Sequence, residues 1–161
     1  MAGLAQVSTR PETPEDSSFL GDLYFSVREL EPGFASLPLD ERSRVLRDQA
    51  RLQSIHYHKV FPHAHFLVVE VDGKPVGRFC VNQFNDRLLV VDLSILPDFQ
   101  GHGIGSQLIK SVLAESTRTG MPVGVSVEIG HPARSFYERL GFAIFKNTES
   151  HHVMQWVPSR G

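Results

Sequence analysis

The chain has 161 residues and a formal net charge of −2, with 41% of its residues apolar and 21% charged. This composition is typical of a globular protein and excludes a disordered or fibrous one, and the length predicts a single domain over residues 1–161. No apolar run reaches the roughly 18 residues of a membrane span, no basic stripe suits nucleic acid and no secretory signal is visible. We therefore expect a cytoplasmic protein with no membrane or nucleic-acid partner.

The first half of the chain predicts one strand, two helices and a hairpin. Thr13 is suited to cap a helix that starts at Pro14, because the Asp16 side chain at the third helical position can accept the backbone N–H of Thr13. Asp72-Gly73 predicts a tight turn between two strands. In chain order, the predicted elements are a strand over residues 4–9, helices over residues 14–30 and 39–58, and strands over residues 66–71 and 76–84.

The second half alternates strands with helices and ends in a pair of strands. Its predicted elements are a strand over residues 88–96, a helix over residues 104–119, a strand over residues 123–129, a helix over residues 133–140, and strands over residues 141–146 and 151–157. The pattern contains no second core and no repeat, so we expect one α+β domain. Six phenylalanines are predicted to lie in its core, namely Phe61, Phe66, Phe79, Phe84, Phe142 and Phe145.

Cys80 is the one cysteine of the chain, which excludes an internal disulfide and fits a reducing compartment. It lies within the apolar run of residues 76–81, so we expect a buried, inert thiol rather than a nucleophile. No chemistry is therefore assigned to this side chain.

A glycine-rich segment, Gln100-Gly101-His102-Gly103-Ile104-Gly105, joins the strand over residues 88–96 to the next helix. Glycine lets the backbone approach a ligand, and a helix start presents N–H groups and a positive dipole, so the segment suits a phosphate. A dinucleotide fingerprint would need glycine at Leu108, and a nucleotide-triphosphate loop would need lysine directly before Ser106, so both are excluded. A glycine turn that binds nothing remains the alternative.

A second motif lies downstream, in residues 133–142, and forms a short helix followed by Gly-Phe. Together the two motifs resemble the GCN5-related N-acetyltransferase (GNAT) superfamily, and the order of elements extends the resemblance over essentially the whole chain. The matching residues are Gln100, Gly103 and Gly105 in the first motif and Ala133, Tyr137, Gly141 and Phe142 in the second. The resemblance implies a mixed, mostly antiparallel sheet flanked by helices and splayed between its fourth and fifth strands.

The resemblance also implies acetyl-CoA as the acyl donor. Its pyrophosphate would lie on the N–H groups of residues 101–106, and its pantetheine arm would pair like a strand with residues 94–96. The Ile95 N–H would then polarise the thioester carbonyl, and Tyr137 would protonate the departing thiolate. The implied cofactor-binding residues are Ser94, Ile95, Leu96, Gln100, Gly101, His102, Gly103, Ile104, Gly105, Ser106, His131, Arg134 and Tyr137.

Two departures from the family pattern concern the coenzyme. His131 replaces a frequent asparagine, so the contact made there to the coenzyme arm is altered or lost. Gln100 and His102 stand where many relatives carry Arg or Lys, so we expect phosphate binding to depend mainly on the backbone. Arg134 is a candidate cation for the phosphates, with a solvated surface arginine as the alternative.

The acceptor must lose a proton during transfer, because a lysine-like amine has a pKa near 10.4. Asp92 and Glu128 lie on the two strands expected to flank the cleft, and both are candidate bases. Two alternatives are that these carboxylates are only solvated or paired, and that a weakly basic amine needs no dedicated base.

The helix over residues 39–58 places polar side chains within its apolar face. Such groups are unfavourable there unless they are paired or face a wet cleft, so Gln49, Gln53 and His56 are predicted to line the acceptor site. Pairing with neighbouring loops is the alternative. The apolar face is assigned to Val45, Leu46, Ala50, Leu52 and Tyr57. The histidines around this helix end lack cysteine or carboxylate partners at ligand spacing, and we expect no metal site.

The sequence thus predicts an acetyl-CoA-dependent N-acetyltransferase that acts on a primary amine of a small molecule or a protein. The alternative is a GNAT-like module that binds acyl-CoA for regulation or assembly with little turnover. The sequence does not identify the acceptor. A homodimer is left open, since the last two strands often build dimers in this superfamily.

Overall fold

Seven strands and four α-helices occur within residues 6–159, the part of the chain that this computed structural model describes. The strands are β1 (Val7–Pro11), β2 (His65–Val71), β3 (Lys74–Gln83), β4 (Leu88–Ile95), β5 (Val123–Glu128), β6 (Ala143–Asn147) and β7 (His151–Trp156). The helices are α1 (Ser17–Arg28), α2 (Leu39–Val60), α3 (Ile104–Thr119) and α4 (Ala133–Arg139). Every predicted element is present with ends that differ by a few residues, although the start of the first predicted strand lies outside the described residues.

The strands form a sheet with the order β1-β2-β3-β4-β5-β7-β6. β4 and β5 run parallel, with residues 88–90 opposite residues 123–125, although both strands continue beyond these three pairs. The pairs β1–β2, β5–β7 and β6–β7 are antiparallel. This mixed, mostly antiparallel sheet with flanking helices confirms the predicted fold class.

The described chain falls into two compact units. The first extends from the start of the described chain to Cys80 and includes Asp92–Ile104, so it contains β1, β2, α1 and α2. The second comprises Val81–Val91 and the residues from Gly105 onward, and it contains β5, β6, β7 and α4. The single domain expected from the length stays a prediction. Within residues 6–159, no helix is long and apolar enough to cross a membrane.

The start of α1 carries the predicted cap with a tighter first turn than expected. Residues Pro14–Asp16 form a 3₁₀ turn, and α1 itself begins at Ser17. The Asp16 carboxylate accepts the Thr13 N–H at 2.8 Å and is also bound by Arg10 of β1 at 2.7 Å. The hydrogen bond from Arg10 is the main reason that the pKa of Asp16 falls to about 2. The cap therefore stays ionised and joins β1 to α1.

The core confirms the predicted burial of Cys80, Phe79 and Phe142 and corrects two other assignments. Cys80 is fully buried, and burial raises the pKa of its thiol to about 12. Leu52 is 60% exposed, because it lies about 120° around α2 from the fully buried Leu46. Phe145 is 66% exposed, because β6 is the terminal strand of the sheet and all its residues face solvent. The assignments of Leu52 to the apolar face and Phe145 to the core are therefore wrong.

β3 and β4 approach each other closely at Gly77. An ideal Cβ on this glycine would lie 2.4 Å from the Ser94 carbonyl oxygen and 2.7 Å from Ile95 Cδ1. Real Cβ atoms essentially never lie this close to other atoms, so any side chain at this position would displace the end of β4. Gly77 therefore sets the distance between β3 and the last residues of β4.

The variant Gly77→Ala is expected to lower the free energy of unfolding by about 1–3 kcal/mol, because the new methyl group overlaps the backbone of β4. Gly124→Ala in β5 is the matched control, since the atoms nearest to its ideal Cβ are 3.8–4.0 Å away. The control should change the free energy by less than about 1 kcal/mol. Urea unfolding measures both, and equal midpoints would show that the two strands are not in close contact at Gly77.

Candidate functional site

The glycine-rich segment forms the turn between β4 and α3. Gly101 and Gly103 have φ angles of +78° and +84°, which residues with a side chain rarely adopt. No described atom lies within 4 Å of the ideal Cβ of either glycine, so the space beside both is open. α3 begins at Ile104, and the first N–H groups of a helix have no partner within that helix. The N–H groups of residues 103–106 therefore suit an anion such as a phosphate.

Gln100 ties this segment to β4. Its side-chain amide donates to the Ile95 carbonyl at 2.9 Å, across a 3₁₀ turn at Pro97–Phe99 that the sequence analysis did not predict. The His102 side chain is exposed, and residues 100–106 contain no lysine or arginine. Gln100 therefore positions the turn, and the segment presents backbone groups rather than a cationic side chain to an anion.

The end of β4 directs the Ile95 N–H away from β3. The Ser94 carbonyl oxygen lies against Gly77 of β3, and in a trans peptide the carbonyl and the next N–H point in opposite directions. The described chain contains no cis peptide bond. The Leu96 N–H, by contrast, donates to the Val76 carbonyl of β3 at 2.8 Å. Of the residues predicted to pair with pantetheine, Ile95 thus presents its N–H at the other edge of β4.

The two candidate bases lie in different environments. Asp92 in β4 has a side chain that is only 17% exposed, and it accepts the Ser94 hydroxyl at 2.8 Å. Burial raises the pKa of Asp92, while the charge of Arg78 and the Ser94 hydrogen bond oppose the rise. Glu128, the last residue of β5, is exposed. Of the two, Asp92 has the surroundings that strengthen a carboxylate as a base.

Arg78 of β3, which the sequence analysis did not single out, is a buried cation beside Asp92. It is 4% exposed, its Nε donates to Glu12 Oε2 at 3.1 Å, and its Nη1 lies 4.0 Å from Asp92 Oδ2. The rings of Tyr57 and Phe66 lie 5.9 and 5.7 Å from its guanidinium carbon. An arginine inside an apolar strand was the available signal, because a buried arginine needs a carboxylate partner.

Tyr137 is held at the end of α4 by two aromatic neighbours. The residue is 5% exposed, and its ring makes edge contacts with Phe136 at 4.9 Å and Phe142 at 5.2 Å between centroids. The Phe142 N–H donates to the Tyr137 carbonyl at 3.0 Å, which turns the chain back onto the helix. The Tyr-x-x-x-Gly-Phe spacing is therefore the spacing of a helix end that packs both rings together.

The other two residues predicted to contact the coenzyme also lie at α4, and both have partners in the protein. His131 Nδ1 accepts the Ala133 N–H at 3.0 Å, which assigns the ring proton to Nε2 and satisfies one N–H of the first helical turn. Arg134 pairs with Glu138 at 2.7 Å and approaches His152 at 3.5 Å. The first unit thus brings together Asp92, Ser94, Ile95 and Gln100, and the second brings together His131, Arg134 and Tyr137.

The residues predicted to line an acceptor site have different surroundings along α2. Gln49 accepts the Tyr24 hydroxyl of α1 at 3.2 Å, Gln53 is half-buried and His56 is exposed. A cavity of about 630 Å³ lies against the same helix, but none of these three residues lines it. Its polar lining residues include Glu12, Arg47, Ser54 and His58. Among the described side chains, no cluster of three or more His, Cys, Asp or Glu could hold a metal ion.

Removing the His131 ring should destabilise the protein by about 0.5–2 kcal/mol, because His131→Ala leaves the Ala133 N–H without its side-chain acceptor. His131→Asn should recover most of this loss, since the amide oxygen can accept the same N–H. Urea unfolding of the two variants beside the parent protein measures the effect. If the alanine variant is as stable as the asparagine variant, His131 does not cap α4.

The chain matches a family model described as an acetyltransferase (GNAT) domain over residues 62–144. A Bacillus subtilis relative, provisionally named a ribosomal protein bS18-alanine N-acetyltransferase, is 29% identical over 92 residues, which are 53% of this chain and 59% of that protein. An uncharacterized N-acetyltransferase from Methanocaldococcus jannaschii is 34% identical over 87 residues, which are 48% of this chain and 38% of that protein. The chain therefore spans about half the length of the curated relatives it matches.

Solved structures with the same fold cover nearly the whole chain. The PaiA N-acetyltransferase of Thermoplasma acidophilum, solved in complex with coenzyme A, has a TM-score of 0.72 at 16% identity and covers 94% of this chain and 99% of its own. The ribosomal-protein-S18-alanine N-acetyltransferase of Escherichia coli has a TM-score of 0.65 at 14% identity and covers 97% of both chains. The matched family model spans about half of the chain and contains both motifs, so the chain belongs to the GNAT acetyltransferase family.

Proposed function

We propose that this protein is an acetyl-CoA-dependent N-acetyltransferase that transfers the acetyl group to a primary amine of a small molecule or a protein by direct attack on the thioester. The observation that carries the proposal is the continuous run from Ile95 to Ser106. This run presents one backbone N–H at the edge of β4 and several more at the start of α3. The N-acetyltransferase names of its relatives support the reaction, and the coenzyme A bound to PaiA supports the donor.

Acetyl-CoA fits the chemistry of this run. The N–H groups of residues 101–106 would bind the pyrophosphate, and the open space beside Gly101 and Gly103 admits phosphate oxygens to the backbone. The pantetheine arm carries amides that can pair with the edge of β4 at residues 94–96. His102 is exposed beside the same turn, whereas Gln100 acts by holding the turn in place. His131 and Arg134 are both exposed, and each keeps a side-chain N–H beyond its present partners that could contact the coenzyme.

The reaction forms a carbon–nitrogen bond and breaks the carbon–sulfur bond. Negative charge develops on the carbonyl oxygen, and the Ile95 N–H would stabilise it more strongly as the charge grows. Tyr137 would protonate the departing thiolate, because a phenol with a pKa near 10 stays protonated at neutral pH. The amine proton would pass to Asp92 or Glu128, and the burial of Asp92 favours Asp92.

The acceptor belongs to a class that the relatives share, the amines. We place Gln49, Gln53 and His56 of α2 beside it, where their amide and imidazole groups can hydrogen-bond a polar substrate. We also include a homodimer in the proposal, because the terminal strand β6 is exposed along its length and carries Ile144 and Phe145. An open edge of this kind suits antiparallel pairing with a second copy.

The experiment that tests the proposal measures thiol release from acetyl-CoA over a panel of primary amines and amino-terminal peptides, beside a thermal-shift titration with coenzyme A. We expect coenzyme A to raise the melting temperature and at least one amine to release thiol in an enzyme-dependent way. Stabilisation by coenzyme A without thiol release on any amine would favour a binding module. The absence of both thermal stabilisation and thiol release would contradict the proposal.

Tyr137→Phe tests the leaving-group role directly. The variant should lower kcat at least about tenfold, because the thiolate then leaves without a positioned proton donor. The dissociation constant of coenzyme A serves as the internal control and should stay within about twofold, since the ring and its contacts with Phe136 and Phe142 are retained. An unchanged kcat would remove Tyr137 from the mechanism.

A further inference from the structure

Arg78 is shared unequally between two carboxylates. Its Nε and Nη2 donate to the two oxygens of Glu12 at 3.1 and 3.4 Å, whereas its Nη1 lies 4.0 Å from Asp92 Oδ2, beyond hydrogen-bond distance. Arg78 is 4% exposed and the Glu12 side chain is 9% exposed, so water screens this arrangement only weakly. Arg78 therefore interacts mainly with Glu12, and its positive charge neutralises Asp92 only in part.

The remaining groups that face Asp92 act in opposite directions. Burial makes the charged carboxylate unfavourable, and the negative charge of Glu12 adds to that effect. Ser94 in β4 donates to Asp92, and the positive charge of Arg28 in α1 also favours the ionised form. On α2 and β3 the neighbours are Tyr57 and Cys80, whose pKa values are both raised to about 12. Both stay neutral at working pH, so the balance depends on Arg78 and Glu12.

We propose that Glu12 is a positioning residue of the acid–base site, because by binding Arg78 it leaves the Asp92 carboxylate able to accept the proton of the acceptor amine. This inference rests on the proposed function, in which Asp92 is the base. Glu12 follows β1 in the chain and also lines the cavity at α2, with Ser54 and His58. His58 Nε2 lies 3.6 Å from Glu12 Oε1, so the imidazole also faces Glu12.

The direction in which the pKa of Asp92 changes in each variant depends on how closely Arg78 can pair with Asp92. In Glu12→Gln, Arg78 loses its charged partner and can pair with Asp92, so the pKa of Asp92 falls and the carboxylate becomes a weaker base. In the double variant Glu12→Gln/Arg78→Gln, Asp92 loses the cation altogether, so its pKa rises above that of the parent protein. The double variant leaves no unpaired charge at these two positions, which keeps the comparison valid if a single variant folds poorly.

The test combines a carboxyl-carbon NMR titration of Asp92 with the pH dependence of kcat. Glu12→Gln should lower the Asp92 midpoint by at least about 0.5 pH unit and move the acid limb of kcat by the same amount. Glu115→Gln is the matched control, because Glu115 pairs with Arg118 on the surface of α3 and should leave both midpoints in place. The acceptor KM should stay within about twofold in Glu12→Gln. The variant His58→Gln tests whether the histidine sets the acid limb of kcat, and we expect that limb to stay at the same pH.

The NMR titration needs no turnover, so it distinguishes a failure of the role of Glu12 from a failure of the proposed function. An Asp92 midpoint that does not move in Glu12→Gln overturns the role of Glu12 and leaves the proposed N-acetyltransferase standing. A midpoint that moves while the acid limb of kcat does not overturns the role as well. Absence of thiol release by the parent protein at every pH overturns the proposed function and, with it, the inference.

Discussion

The close approach of β3 and β4 at Gly77 determines how the end of β4 presents its backbone. Since the Ser94 carbonyl lies against Gly77, the Ile95 N–H in the same peptide points to the opposite edge of the strand. The Leu96 N–H donates to the Val76 carbonyl, and the Gln100 side-chain amide donates to the Ile95 carbonyl. These two hydrogen bonds fix the position from which the glycine turn begins. The proposed acyl site and phosphate site are thus two ends of one constrained run of backbone.

The charged side chains around that backbone differ in how fully their charges are paired. Arg78 is a buried cation, and its stronger attachment to Glu12 leaves Asp92 incompletely compensated. A buried carboxylate in that position binds a proton more readily than one in water. In the second unit, the arginine predicted to serve as a phosphate ligand is paired with Glu138. The charges available to the reaction are therefore set by the partners that the fold gives each side chain as much as by residue type.

The sequence predicts the elements and the two motifs well because these depend on local patterns. The Thr13 cap, the Asp72-Gly73 turn and the glycine segment each determine structure within a few residues, and the element boundaries follow. The Arg78–Glu12 pair could not be predicted, because 66 residues separate the partners and only the fold brings them together. The assignments of Leu52 to the apolar face and Phe145 to the core were wrong for a related reason. Helix rotation and strand position depend on tertiary packing, which hydrophobicity alone does not reveal. The predicted site residues stay predictions.

The proposed transfer depends on one binding site, the backbone from Ile95 to Ser106, which would hold the acyl donor. Backbone amide NMR of the protein, titrated first with coenzyme A and then with acetyl-CoA, tests whether this backbone binds the donor. Coenzyme A should shift the amide signals of residues 103–106 most strongly, and acetyl-CoA should add a further shift at the Ile95 amide. Shifts confined to other segments, such as the cavity beside α2, or no shifts at all, would show that this backbone does not bind the donor.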